Sequence, residues 1–375
     1  VRQQSRIFEQ EMSVKKNIRS LSLEDLELFL LESGEKKFRA AQILDWIWKK
    51  GADSFSQMSN LSASLRERLA ETFDFFEVTE AEKQISKDKT IKNAFRLYDG
   101  NIVEGVLIPS DERSTACISS QVGCSLTCKF CATGRLARIR NLEPEEIYDQ
   151  VRILNKQSME TLGRPLSNIV MMGMGEPLLN YKNVLKGIEY ITAPDKMGMS
   201  PQRITLSTAG IAKMIKKLGD DRVRFNLALS LHAANDEKRS KIMPINDQNN
   251  LEALTEALQY FYEKTGSTIT LEYIVFRDFN DGLSDAAELA TFARKTASKI
   301  NIIEYNPIDD GEFMQTTPER LRAFAAYLES KKLIVNIRRS RGKDIDAACG
   351  QLANKNIPGL SIRKLKDEQS NTDSL

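Results

Sequence analysis

Cys124, Cys128 and Cys131 lie in the stretch C-I-S-S-Q-V-G-C-S-L-T-C-K-F-C at C-x3-C-x2-C spacing, with Phe130 before the last. Cys117 opens the same stretch, and Cys349, in D-I-D-A-A-C-G-Q-L, is the fifth cysteine of the 375-residue chain. Clustered cysteines without a secretion signal read as metal ligands or reactive thiols, not as a disulfide framework. Three thiolates at short spacing suit an iron–sulfur cluster that leaves one iron open. The alternative is structural zinc, which wants four ligands in a closed tetrahedron. Cys117 could be the fourth, but paired C-x2-C knuckles are missing and the lone histidine, His232, lies far along the chain. The spacing favours the cluster.

Other residues able to do chemistry follow predicted strands. Gly173-Met174-Gly175-Glu176-Pro177 offers glycines for close backbone approach to a ligand and a carboxylate that can accept from an amine. An ordinary tight turn would read the same way. Ser207, then Ser230-Leu231-His232, then Asn306 each end a strand. A single histidine is commonly a satisfied polar residue; at a sheet mouth a site role is equally open. Glu104, in V-E-G-V-L-I-P, is a lone strand carboxylate, and most such residues face solvent. Cys349 is open to a packing role, although Gly350 and nearby acids suggest a turn.

These residues need elements to position them. Residues 1–20 read as polar and frayed. Three helical stripes follow: one from Leu21 with a Ser22/Asp25 capping box, one through Phe38, Ile43, Trp46 and Ile47, and one through Leu61, Leu65 and Leu69. Trp46 and Trp48 read as packing, while Lys36, Lys37, Arg39, Lys49 and Lys50 could face RNA. Thr90–Tyr98 and Asn101–Ile108 alternate around Asp99-Gly100, a hairpin signal. Beyond Pro109 the pattern is strand–helix, repeated six times from Ala116 to Ser330, with an edge strand over Leu333–Arg338. Such a repeat predicts a parallel α/β sheet whose ligands gather beyond the carboxyl ends of its strands. The tail from Lys364 is polar.

Composition sets the limits. Apolar residues make up 41% and charged residues 28%, ordinary for a globular chain. A net charge of +2 leaves any basic surface local: Arg135, Arg138 and Arg140 beside the cysteines, and Arg338, Arg339, Arg341 and Lys343 before Cys349. No apolar run approaches a membrane span. The first residues lack a signal core, which predicts a reducing, cytoplasmic setting. Val1 reads as an alternative start, with Met12 as the other candidate.

The C-x3-C-x-aromatic-C loop after a strand resembles the radical S-adenosylmethionine (SAM) superfamily. The segments C-I-S-S-Q-V-G-C, C-K-F-C-A-T-G, M-G-M-G-E-P-L-L-N, S-L-H and R-G-K-D-I-D-A-A-C-G-Q-L resemble the RlmN family, over nearly the whole chain. Related Cfr chains methylate adenine C8; they read G-E-A-L-A-N and S-Q-F-G-I-D-I-D where this chain has G-E-P-L-L-N and S-R-G-K-D-I-D. The resemblance implies an α/β radical-SAM partial (β/α)6 barrel, with a helical accessory domain over 1–77, a β-hairpin linker over 78–109, a core over 110–348 and a C-terminal loop and tail over 349–375. It implies a 4Fe–4S cluster on Cys124, Cys128 and Cys131, and a SAM site from Gly175, Glu176, Ser207, Ser230, Leu231, His232 and Asn306. Cys349 would carry a methyl group, Cys117 would resolve the adduct through a disulfide, and Glu104 would accept a proton. The implied activity is methylation of adenine C2 in 23S rRNA and tRNA using two SAM molecules per turnover. The implied partners are those RNAs and an electron donor such as flavodoxin, with the chain acting as a monomer off the membrane. A zinc-bearing RNA-binding protein is the alternative of another class.

Overall fold

The computed structural model describes residues 15–309 and 311–354, and it divides into two compact units between Glu77 and Val78. The expectations for Val1, Met12 and the tail from Lys364 fall outside the described residues.

The first unit holds β1 (Lys16–Asn17), α1 (Leu23–Glu32), α2 (Phe38–Trp48), α3 (Ala63–Thr72) and β2 (Phe73–Asp74). Ser22 Oγ accepts from the Asp25 amide at 3.0 Å and Asp25 returns the bond to the Ser22 amide at 3.2 Å, so aspartate completes the capping box. Ser62 caps α3. The i, i+4 pairs Leu26/Leu30, Ile43/Ile47 and Leu65/Leu69 meet in one apolar core. Fraying does not extend to residue 20: β1 pairs with β2, and Ile18 is fully buried in that core. Both tryptophans pack against it, and Trp46 Nε1 donates to Asn60 Oδ1. Several of the basic residues are already paired, Lys37 with Glu27 and Lys49 and Lys50 with Asp45.

The second unit is built on one ten-stranded sheet. Strands β3 (Thr79–Ile85), β4 (Ile91–Arg96), β5 (Ile102–Pro109) and β6 (Ser114–Cys117) pair antiparallel in succession. The short pair β7 (Gln121–Val122) and β8 (Arg140–Asn141) closes the base of the cysteine loop. Then come α4 (Pro144–Leu162), β9 (Asn168–Met171), α5 (Tyr181–Thr192), β10 (Ile204–Thr208), α6 (Ala212–Asp220) and β11 (Asn226–Ser230). The remainder is α7 (Asp236–Ile242), α8 (Leu251–Thr265), β12 (Ile269–Val275), α9 (Leu283–Arg294), β13 (Ser298–Glu304), α10 (Pro318–Ser330) and β14 (Val335–Arg338). From β6 through β9 to β14 every pairing is parallel, giving a partial (β/α) barrel. Its central strand β12 is buried on both faces, as a helix-covered parallel sheet requires: all of Ile269–Val275 is buried.

Three details go beyond the sequence pattern. Within the segment 78–109, β3, β4 and β5 hydrogen-bond into the same sheet as the barrel strands. Helix α4 runs to Leu162, because nothing breaks it before Gly163 takes a left-handed C-cap at φ 66°. Helix α7 has too few apolar residues to show a helical stripe, yet Asn235 caps it by accepting from the Lys238 amide at 3.1 Å.

Candidate active site

The barrel mouth is where the chemically capable residues meet. Cys124, Cys128 and Cys131 line one cavity with Phe130, Gly175, Glu176, Ser207, Ser230, His232 and Cys349. The loop is folded by its own backbone: the Leu126 amide donates to Cys124 Sγ at 3.4 Å, and the Cys131 amide to the Cys128 carbonyl at 3.2 Å. Burial pushes all three thiols up, Cys124 to about 12. Thiolates in such apolar surroundings need a cationic centre to hold them. Among the described residues no three His, Cys, Asp or Glu side chains are grouped so as to hold a single metal ion. Three thiols that share one cavity are the donor set of a polynuclear cluster, in which each thiolate binds its own iron.

Beside the cysteines, the turn after β9 brings backbone against the cavity. Gly175 has φ +95°, and a Cβ there would lie 2.5 Å from Gln121 Cβ, so only glycine fits. Glu176 is buried, and both its oxygens accept from backbone: Oε1 from the Leu178 amide at 3.1 Å and Oε2 from the Ala209 amide at 2.8 Å. Burial raises its carboxyl above the ordinary value. Ser207 and Ser230, near the ends of β10 and β11, place their hydroxyls 3.3 Å apart.

His232 takes a left-handed φ of 56° and stacks edge-on against Phe130 at 4.7 Å. Its Nδ1 accepts from the Ile274 amide at 3.1 Å, which assigns the proton to Nε2. Burial, then the nearby Arg239 charge, pushes it down to about 3, so the ring is neutral. Leu231 is fully buried and lines neither cavity at the mouth; its amide donates to the Glu272 carbonyl at 3.0 Å. Asn306 is buried, lines neither cavity, and donates from Nδ2 to the Cys349 carbonyl at 3.4 Å.

The C-terminal segment is tied to both sides of the mouth. The Ala132 amide donates to the Gly350 carbonyl at 2.7 Å, and Thr133 Oγ1 to the Leu352 carbonyl at 2.6 Å. On the other side Glu104 is not solvent-facing: it is 2% exposed. Its Oε1 pairs with Lys92 Nζ at 3.0 Å and its Oε2 accepts from the Ala353 amide at 2.7 Å. Sequence pattern misses this because the counter-charge comes from β4 and the donor from the far end of the chain. Cys117 and Cys349 line a second, smaller cavity that abuts the first. No disulfide joins them; all five cysteines are free thiols, so the expected disulfide is not present in this structure.

Three further residues shape the site. Arg239 is fully buried and donates to the carbonyls of Ala209, Ser230 and Leu231, holding the ends of β10 and β11 together. Glu272, from β12, lines the main cavity and takes a bond from Asn301 Nδ2 at 2.9 Å. Arg338, expected at the surface, turns inward from β14 and lines both cavities. Arg140 is likewise committed, to Asp99 and Glu146. Of these, Arg239 carries no sequence signal, since its D-E-K-R-S-K setting reads as a solvated helix face. Among the described residues no helix is long and apolar enough to cross a membrane.

Residues 16–74 match the ribosomal RNA large subunit methyltransferase N-terminal domain, and residues 118–290 match the radical SAM superfamily. A probable dual-specificity RNA methyltransferase RlmN of Cytophaga hutchinsonii is 60% identical over 343 residues, covering 92% of this chain and 94% of the relative. The dual-specificity RNA methyltransferase RlmN of an Anaeromyxobacter species is 40% identical, covering 92% of each chain. The crystal structure of a radical SAM methyltransferase from Sphaerobacter thermophilus superposes with a TM-score of 0.84 at 36% identity, covering 90% of this chain and 99% of the other. With its cysteine loop, barrel mouth and both domain matches in agreement, this chain belongs to the RlmN family of radical SAM RNA methyltransferases.

Proposed function

We propose that this enzyme methylates C2 of adenine in both 23S rRNA and tRNA, carrying the methyl group on Cys349. The observation that supports this reading is that Cys349 lines the same cavity as the three cluster cysteines. Cys124, Cys128 and Cys131 would hold a 4Fe–4S cluster, and Gly175, Glu176, Ser207, Ser230, Leu231, His232 and Asn306 would form the SAM site. Cluster and SAM together supply, when bound, one-electron chemistry able to activate an unreactive C–H bond.

The chain's own residues do the rest. The mouth is walled by Phe130, Met243 and Ile274, which keep water from the reacting groups. His232, neutral with its Nε2 proton, can donate a hydrogen bond without adding charge. Asn306 orients the Cys349 loop through the Cys349 carbonyl. Adenine C2 bears a hydrogen that must leave as a proton once the methylene carbon on Cys349 has bonded to the ring. Glu104 is the acceptor in this reading, paired with Lys92 at 3.0 Å. Because Glu104 Oε2 also holds the Ala353 amide, the C-terminal segment must shift for the base to reach it. Cys117 then attacks the Cys349 sulfur and frees the product. The target base is extruded into the mouth, exposed Arg138, Arg339 and Arg341 contact phosphates, and a donor such as flavodoxin reduces a monomeric, cytoplasmic enzyme.

The test is anaerobic turnover of the cluster-loaded protein with 23S rRNA fragments and with tRNA, read by mass spectrometry of the digested nucleosides. The expected product is 2-methyladenosine from both; 8-methyladenosine, or RNA left unmodified by a brown, SAM-cleaving protein, would overturn the proposal. Cys117→Ala should accumulate a covalent RNA–protein adduct.

A further inference from the structure

We infer that Arg338 is the positioning residue that readies the Cys117 thiol for attack on Cys349, and that Glu272 holds Arg338 in place for that task. The inference rests on Cys117 acting as the resolving thiol, as proposed above.

Cys117 ends β6, is 7% exposed and opens on the smaller cavity, whose wall it shares with Cys349, Met172 and Arg338. A thiol so placed keeps its proton unless something favours the thiolate. Burial, then the neighbouring Cys349, pushes the Cys117 thiol up to about 12, while Arg338 and the Met172 amide act in the opposite direction. The charged or titratable groups facing this cavity are Arg338, Arg339, Arg341 and Cys349. Arg339 and Arg341 are exposed, so water screens them. Lys92 and Glu104, on the neighbouring strands β4 and β5, neutralise each other at 3.0 Å. Of the three arginines that line this cavity Arg338 is the least exposed, and it faces both of its thiols.

How Arg338 is held matters as much. Its Nη1 reaches Met172 Sδ at 3.5 Å and lies 3.9 Å from Glu272 Oε2, too far for a hydrogen bond. Glu272 is 3% exposed; its Oε1 is taken by Asn301, while its Oε2 has no hydrogen-bond partner. A carboxylate at that distance tethers the guanidinium electrostatically without saturating its donors, which leaves them free to turn toward a forming thiolate. In the step so assisted, the Cys117 sulfur bonds to the Cys349 sulfur as the bond from Cys349 to the RNA methylene carbon breaks. The electron pair goes to that carbon, which takes a proton and becomes the methyl group. The two cysteines are oxidised together, and an external thiol reductant restores them.

Full-length, cluster-loaded protein would be alkylated anaerobically with iodoacetamide across a pH series, and modification at Cys117 read by peptide mass spectrometry. Arg338→Met should slow alkylation at least about tenfold near neutral pH, equivalent to about one pH unit in the midpoint. Arg338→Lys should restore most of it, and Glu272→Gln should move the midpoint down, because the competing anion is gone. General loosening of the site would move both variants the same way, and retention of the cluster chromophore checks folding. An unchanged profile in Arg338→Met, or shifts of one sign in both variants, overturns the inference. Cys117→Ala separates the layers: full turnover without a trapped adduct would remove the role of Cys117 itself, whereas a trapped adduct with an unmoved Arg338→Met profile would remove only that of Arg338.

Discussion

Replacing Lys92 by methionine should show how strongly the buried ion pair under the C-terminal segment is coupled to the fold. Lys92 and Glu104 have side chains 4% and 3% exposed and lie 3.0 Å apart. At that separation the attraction is about 5 kcal/mol for an effective dielectric constant of about 20. Lys92→Met leaves the Glu104 carboxylate buried against the Ala353 amide without its counter-charge, and it takes a donor from the Asp346 carbonyl, 3.3 Å from Nζ. Breaking a buried pair in this way costs about 3–5 kcal/mol. The double variant Lys92→Met/Glu104→Gln removes both charges and should recover at least about half of that loss. The assay is denaturant unfolding with two probes. Both tryptophans, Trp46 and Trp48, belong to the N-terminal unit, so their fluorescence reports that unit, whereas far-ultraviolet circular dichroism is dominated by the larger barrel. The dichroism transition should move to lower denaturant. A shift under about 1 kcal/mol in Lys92→Met, or a double variant no better than the single, would refute the argument.

Two further outcomes follow from the same geometry. His232 is held near 3 against an ordinary value of 6.5, so its folded-state value is depressed. Its contribution to stability is full above about pH 6.5 and is lost as pH falls from there towards about 3, at up to about 1.4 kcal/mol per unit. His232 is the chain's single histidine, so the difference between wild type and His232→Gln across that window isolates the effect; parallel stability curves would refute it. Thr133→Val strands the buried Leu352 carbonyl and should cost about 1–3 kcal/mol locally. Hydrogen exchange over residues 349–354 should quicken, while exchange in α1–α3 stays as it was.

Much of the site was legible because its signals are local. The cysteine spacing, the glycines before Glu176, and the polar residues that end predicted strands are runs of neighbouring letters, and the alternation of strand and helix says they share one end of a sheet. Glu104 shows where such reading stops. A lone strand carboxylate carries no sign of the lysine on the adjacent strand, the register between β4 and β5, or the Ala353 amide from the end of the chain. Arg338 and Arg140 failed in the opposite sense: in sequence they resemble other basic residues, and only their packing turns them inward.

By itself, then, the sequence offered the candidate ligand set, the main alternation of strands and helices and the likeness to the RlmN family, because these depend on spacing and periodicity. Tertiary structure decided which thiols share a cavity, which carboxylate is buried against which cation, and that Arg239 ties together the strand ends around the mouth. Those pairings join residues far apart in the chain, and a contact of that kind exists only once backbone register and burial have set the distance between the charges.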